Sequence, residues 1–342
     1  MALKPFPGFV SLDTHHCITG SMKHIYAFHE HDISEDMLLG LGSGLGFIYW
    51  HMKGIPPIFG GRANVGRPGE DGLEITAGRR TGVTVEKTHT GSSSKAEKAL
   101  TERLESDDPV MLNVDMGFPP YFTDLPDDFH FGGHAIAAGG FDPQSNEVLV
   151  ADRDAPLHPI SMEDLARARG SKFKPFPPQN TAFTFDFSEK RQPAPEEILE
   201  AIEEVCQTML ESPISNLGVR GIRKAADKTL KWHQVMDEEE LRMACINTFI
   251  FIDATGGTGG GIFRYMYGRF LEESARITGI EQLAGIGEEL RLIGDLWQKV
   301  AKIYLSASKA EEPVPMLAQT NVPLMEIAEL EESLWTSLKT LI

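Results

Sequence analysis

Apolar positions change their period near residue 190. Upstream, short apolar runs alternate with turns rich in Gly and Pro. They predict strands over 81–89, 110–114 and 181–187, the last with Phe183, Phe185 and Phe187 on one face. Two more runs, His134–Ala138 and Glu147–Asp152, flank the turn formers of 139–146 and predict a hairpin. Nearer the start, Ile18, Met22, Ile25 and Phe28 fall at helical spacing, with Thr14 upstream as the expected cap. Beyond 190 the period is helical almost throughout, predicting helices over 196–211, 219–233, 237–253, 262–278, 282–304 and 323–341. Glu189–Pro195 reads as the linker, and Pro195 followed by Glu196 and Glu197 suits a helix's first turn. The expected architecture is α+β: a catalytic domain over 1–190 and an all-α domain over 191–342.

Composition narrows the class. With 342 residues, 41% apolar and 24% charged, the chain reads as a globular protein with room for two domains. Its longer apolar stretches, such as Ala244–Ile252, are too short to cross a bilayer, and the opening MALKPFPGFV has no signal-peptide h-region, so a cytoplasmic location without a membrane partner is expected. A net charge of −18 disfavours nucleic acid, whose binding rests on neutralising phosphates. Cys17, Cys206 and Cys245 are odd in number and lack CxxC spacing, so reduced thiols are expected rather than disulfides or zinc.

One cysteine stands in a chemical pattern. A hairpin centred near Pro143 sets His134 opposite Asp152, where a carboxylate holds the tautomer and stabilises the imidazolium. Cys17 opens a helix, whose unpaired N–H groups and dipole favour thiolate. Cys17, His134 and Asp152 therefore read as a thiol nucleophile, its base and its orienter. Asp154, two residues on and on the same strand face, is a rival for the last role; Asp152 is preferred.

Other motifs carry less. Gly40–Gly46 does not match GxGxxG and Gly256–Gly261 lacks the P-loop Lys, so close backbone approach or a loop over the active site is expected rather than nucleotide binding. The N–H groups of Gly259–Gly261, before a helix near Ile262, are a candidate seat for an anion. His15, His16, His29 and His31 cluster in sequence without the spacing of one helix face, so neither a metal nor another cofactor is expected.

These residues also carry a resemblance. His16-Cys17, Ile33-Ser-Glu35, Leu39–Leu45 and Phe47-Ile-Tyr49 resemble the opening of the butirosin biosynthesis protein H N-terminal family. Pro109–Asp115, Pro120-Tyr121, Gly133-His134 and Val150-Ala-Asp152 resemble its later motifs. Asn216–Gly218, Gly221-Ile222, Trp232 and Thr258–Arg264 are similar to the helical domain of unknown function that commonly follows it. The resemblance implies a papain-like acyltransferase that takes an aminoacyl group from the phosphopantetheine arm of an acyl carrier protein and passes it to an amine. Carried over, Cys17 attacks the thioester, His134 moves protons and Asp152 orients His134. The chain departs from the papain pattern at Ser11, where a Gln is usual. One oxyanion donor is then the Cys17 N–H, with His15, His16 or a residue from elsewhere as the second. An acidic carrier needs a basic surface on this acidic chain, and Arg220, Arg223, Lys224, Lys228 and Lys231 on one predicted helix offer it, with Arg79-Arg80 as a smaller candidate. The competing readings are a peptidase or amidase with the same triad, and a non-catalytic binding protein of the same fold.

Overall fold

A computed structural model describes residues 3–52, 55–66, 70–126 and 128–342. In chain order the elements begin with α1 (Cys17–Phe28), α2 (Glu35–Leu41), β1 (Leu45–Met52), β2 (Ile55–Arg62), α3 (Leu73–Arg80), β3 (Thr84–Thr88) and α4 (Ser93–Leu104). There follow β4 (Val110–Val114), β5 (His134–Asp142), β6 (Glu147–Ala151), β7 (Leu157–Ser161), α5 (Met162–Gly170) and β8 (Ala182–Asp186). The remainder is helical: α6 (Pro195–Leu210), α7 (Gly218–Thr229), α8 (Glu238–Ile252), α9 (Gly261–Thr278), α10 (Gln282–Lys309), α11 (Pro313–Ala318) and α12 (Asn321–Leu341). The chain is thus mixed α and β with a helical C-terminal part, and no helix among the described residues is long and apolar enough to cross a membrane.

Two compact units interleave: Met1–Leu38 with Gly78–Gln192, and Leu39–Ala77 with Pro193–Ile342. A linear division at 190/191 leaves residues 39–77 with the first part, whereas their hairpin packs among the helices of the second. Period alone gives no strand there, because Leu45–Met52 is apolar almost throughout instead of alternating.

The first unit is built on a six-stranded sheet in the order β3-β8-β4-β5-β6-β7, with every pairing antiparallel. Ala135, Ala137 and Ala138 give β5 a shallow surface, and α1 lies on this strand with Ile18, Met22 and Ile25 buried. The β5–β6 hairpin corrects the register expected from the sequence. Ala137 pairs with Ala151 and Ala138 with Val150, so His134 does not stand opposite Asp152. The cause is the place of the turn: Asp142 pairs with Glu147, which centres the turn beyond Pro143, and a bulge between Ala138 and Gly140 takes back one residue of that shift. The strand runs on through Gly139 and Gly140 to Asp142, instead of turning at the glycines. Gly139 is used for close approach: a Cβ there would strike the ring of Phe9. The displacement is an even number of residues, so His134 and Asp152 keep the same face.

In the second unit, β1 and β2 pair antiparallel with Tyr49 opposite Phe59. Phe59 is buried among Phe47, Tyr49, Trp232 and Tyr304, with ring centroids 5.5–6.2 Å away. Arg264 and Glu331 form a fully buried pair at 2.9 Å. The carboxylate also accepts from Trp297 Nε1 at 3.0 Å and Trp335 Nε1 at 3.2 Å, and Arg264 Nη1 donates to Gly46 O at 3.3 Å. A buried ion pair needs such additional partners to offset its desolvation.

Candidate active site

Cys17 begins α1 after an extended His16, at φ −120° and ψ 129°. Thr14 is not the cap: its backbone N–H donates to Arg153 O at 2.8 Å and its hydroxyl, set against Gly20, has no hydrogen bond. Glu35 caps the helix start from a distance. Its carboxylate accepts from His15 N at 2.9 Å, His16 N at 2.8 Å and the Thr19 hydroxyl at 3.1 Å, and His15 Nδ1 lies 3.0 Å away. Burial raises the Glu35 pKa, and these donors more than reverse that. The Cys17 N–H has no partner among the described residues.

The three residues read from the sequence meet within the first unit. His134 opens β5 opposite Val114, and its Nε2 lies 2.7 Å from Asp152 Oδ2 just past the end of β6. The Cys17 thiol is hydrogen-bonded to the His134 side chain, and with Nε2 taken by Asp152 the nitrogen that remains for it is Nδ1. Burial opposes the His134 charge, yet the charge and hydrogen bond of Asp152, joined by Cys17, push its pKa up to about 10. Burial likewise opposes the Cys17 thiolate, but the hydrogen bond and charge of His134, the Ala135 backbone N–H and the Arg153 charge bring the thiol below its ordinary value. Cys206 and Cys245 are pushed by burial the other way, up to about 12. Cys17 is only partly exposed, but it is the more accessible thiol, the other two being buried.

Asp154 is not brought to His134; it pairs with His158 at 2.8 Å. Ser11 donates its hydroxyl to Asp154 O at 2.7 Å, and the N–H groups of His15 and His16 are taken by Glu35.

Spacing did not reveal three further neighbours. His24, buried two turns along α1, lies 2.6 Å by its Nε2 from Asp152 O. Burial lowers the His24 pKa, so the neutral ring donates Nε2–H while its Nδ1 has no partner. Tyr121 OH donates to Asp152 Oδ2 at 3.1 Å, and the Phe122 ring stands edge-on to His134 with centroids 5.5 Å apart. A seven-residue separation from Cys17 was the available signal for His24; Tyr121 and Phe122 lie in a loop without a period.

The remaining motifs find structural places. Among the described residues no three His, Cys, Asp or Glu side chains gather as a metal cage. His29 stacks on Phe187 at 4.2 Å, and His31 on Tyr26 at 5.3 Å. The Gly259 N–H is spent on Phe251 O at 2.7 Å, and Cβ atoms at Gly259 and Gly260 would strike the backbone of Phe59 and Ile252. These glycines serve close backbone approach. The basic residues expected on one helix are split: α7 ends at Thr229, so Lys231 lies beyond it. Arg223 is held by Glu332 at 2.6 Å and Lys224 by Asn216 at 2.6 Å, whereas Lys228 and Lys231 are exposed.

A family model described as Butirosin biosynthesis protein H, N-terminal, matches residues 16–153, a span that includes Cys17, His134 and Asp152. A second, described as a domain of unknown function (DUF4872), matches residues 163–338. No curated protein matches the chain. The description of the first match suggests a biosynthetic enzyme connected with antibiotic production. Taken with the Cys17, His134 and Asp152 cluster inside the first span, the two matches mean that the chain belongs to the family joining a butirosin biosynthesis protein H N-terminal domain to DUF4872.

Proposed function

We propose that the chain is a papain-like, thiol-dependent acyltransferase of specialised metabolism, acting in the cytoplasm. It moves an acyl or aminoacyl group from a pantetheine or acyl-carrier-protein thioester to a small-molecule amine. One observation carries the reading: a lowered-pKa cysteine at a helix start faces a histidine whose far nitrogen is 2.7 Å from a carboxylate. The helix packed on an antiparallel sheet that supplies His and then Asp is consistent with a papain-like arrangement.

In the first half-reaction the Cys17 thiolate attacks the thioester carbonyl carbon, and the oxyanion is met by the Cys17 N–H. The bond from that carbon to the pantetheine sulfur breaks, and the departing sulfur takes the His134 proton. In the second half the acceptor amine attacks the Cys17 thioester, gives a proton to His134 and expels the Cys17 thiolate. The sum is thioester plus amine to amide plus thiol. A thiolate leaves more readily than an amine, so the donor needs less acid assistance than a peptide does. Lys228 and Lys231 are the side chains proposed to meet an acidic carrier.

Intact-protein mass after brief exposure to a panel of acyl-pantetheine thioesters tests this. The expected result is a mass gain that Cys17→Ala abolishes and His134→Ala slows, and that an acceptor amine discharges as amide. Discharge to water alone would make the chain a hydrolase. Absence of any adduct, with an alkylating agent unable to distinguish Cys17 from Cys206 and Cys245, would overturn the reading.

A further inference from the structure

Asp152 is held by more than His134. Residues 116–126 follow β4 and residues 128–131 lead into β5, and fully buried Asp115 ties the two stretches together. Its Oδ1 accepts from Gly117 N and Phe131 N at 3.1 Å each, and its Oδ2 from Ser171 Oγ at 2.5 Å, with His130 Nδ1 at 3.0 Å. From the first of these stretches Tyr121 OH reaches Asp152 Oδ2, the same oxygen that His134 uses. The Tyr121 ring is stacked on the His158 imidazole of β7, centroids 4.2 Å apart and planes 21° from parallel. His158 Nε2 in turn lies 2.8 Å and 3.0 Å from the two Asp154 oxygens.

The other Asp152 oxygen, Oδ1, is buried without a hydrogen bond, and Arg153 Nε is 4.0 Å away. A carboxylate used on one side only can turn about its Cβ–Cγ bond, which would carry Oδ2 away from His134 and bring charge toward Arg153. A second donor on Oδ2 opposes that turn. Burial and the Asp152 charge keep the Tyr121 phenol protonated, and therefore a donor.

We infer that Tyr121 is a positioning residue for the His134–Asp152 pair, and that His158 and Asp154 hold its ring in place. The inference rests on the acyltransferase reading for the role of His134, and it gives Asp154 a task distinct from orienting the base. The titratable and charged groups around the pair are Cys17 and His24 from α1, Arg153 and Asp154 after β6, and His158 from β7.

The test is the pH profile of Cys17 alkylation, resolved by mass, in the full chain, for wild type, Tyr121→Phe and Asp154→Asn, with thermal unfolding measured beside it. Tyr121→Phe keeps the stacked ring and removes only the hydroxyl. Its acid limb should move up by about one pH unit, a loss of about tenfold in rate at the foot of the profile, and its alkaline limb should move down, at an unchanged unfolding midpoint. Asp154→Asn, outside the hydrogen bond, should shift both limbs the same way by less, and it carries the test if Tyr121→Phe does not fold. Profiles that superimpose on wild type overturn the inference and leave the acyltransferase reading standing. A wild-type profile no different from that of a free thiol overturns both.

Discussion

The Cys17 thiol and the His134 imidazole titrate as a unit, since each favours the charged form of the other and Asp152 supports the cation. The thiolate–imidazolium pair is present above the lowered pKa of Cys17 and below the value near 10 to which His134 is raised. Alkylation of Cys17 should therefore be fast through neutral pH, fall on the acid side as the thiol is protonated, and change again as His134 loses its proton. Asp152→Asn removes the charge that raises His134. The prediction is a narrower window, with the upper limb well below pH 10, and, under the proposed function, acyl transfer reduced about 10³- to 10⁴-fold. Steady-state rates on an acyl-pantetheine donor check the second part, and an unaltered window would contradict the role given to Asp152. The three residues were legible in the chain because each has a sequence signal: a helix start, a strand, and the end of the next strand. Tyr121 was not, because a hydrogen bond from a loop to a carboxylate leaves no period to read, and the seven-residue spacing of His24 from Cys17 marks a shared helix face without naming its main-chain partner.

At the scale of elements, α1 depends on Glu35 at its entrance. This carboxylate satisfies backbone N–H groups that a helix leaves open, and it does so from the first turn of α2. Glu35→Ala would strand the His15 and His16 N–H groups and the Thr19 hydroxyl. The expected cost is about 3 kcal/mol, seen as a lower urea midpoint, together with slower alkylation of Cys17 at neutral pH. A variant as stable as wild type would show the cap to be dispensable. The helices after 190 were legible because their apolar stripes are long and regular. The β5–β6 hairpin was legible as a pair but not in register, since turn formers fill the whole of 139–146 and the strand runs through Gly139 and Gly140 to Asp142 before it turns. The β1–β2 hairpin gave no alternation, being enclosed among Trp232, Tyr304 and its own aromatic rings.

Across the whole molecule, the interleaving of the two units matters for how the chain can be divided. The helices of 193–342 form their core around Phe47, Tyr49 and Phe59, which come from a hairpin far away in sequence. A chain starting at Pro193 would bare the faces of Trp232, Trp297 and Tyr304 and lose the Gly46 carbonyl that receives Arg264. Burial of an aromatic side chain contributes about 2–3 kcal/mol, so three such faces rival the stability of an ordinary domain. Such a truncation should bind a hydrophobic dye and unfold without a cooperative transition. A sharp transition like that of the full chain would show that the hairpin is not needed.

The placement of Cys17 and His24 on one helix has a mechanical consequence. The two lie about 10 Å apart along its axis, and His24 grips the main chain of Asp152 while Cys17 supplies the sulfur. If thermal motion slides α1 along the sheet, the grip drags Asp152 with it and Asp152 turns the His134 ring in the same sense. Sulfur and imidazole then drift together, like two tools on a single carriage. Under the proposed function, such motion would loosen the aim at the substrate carbonyl and leave the thiol paired with its imidazole.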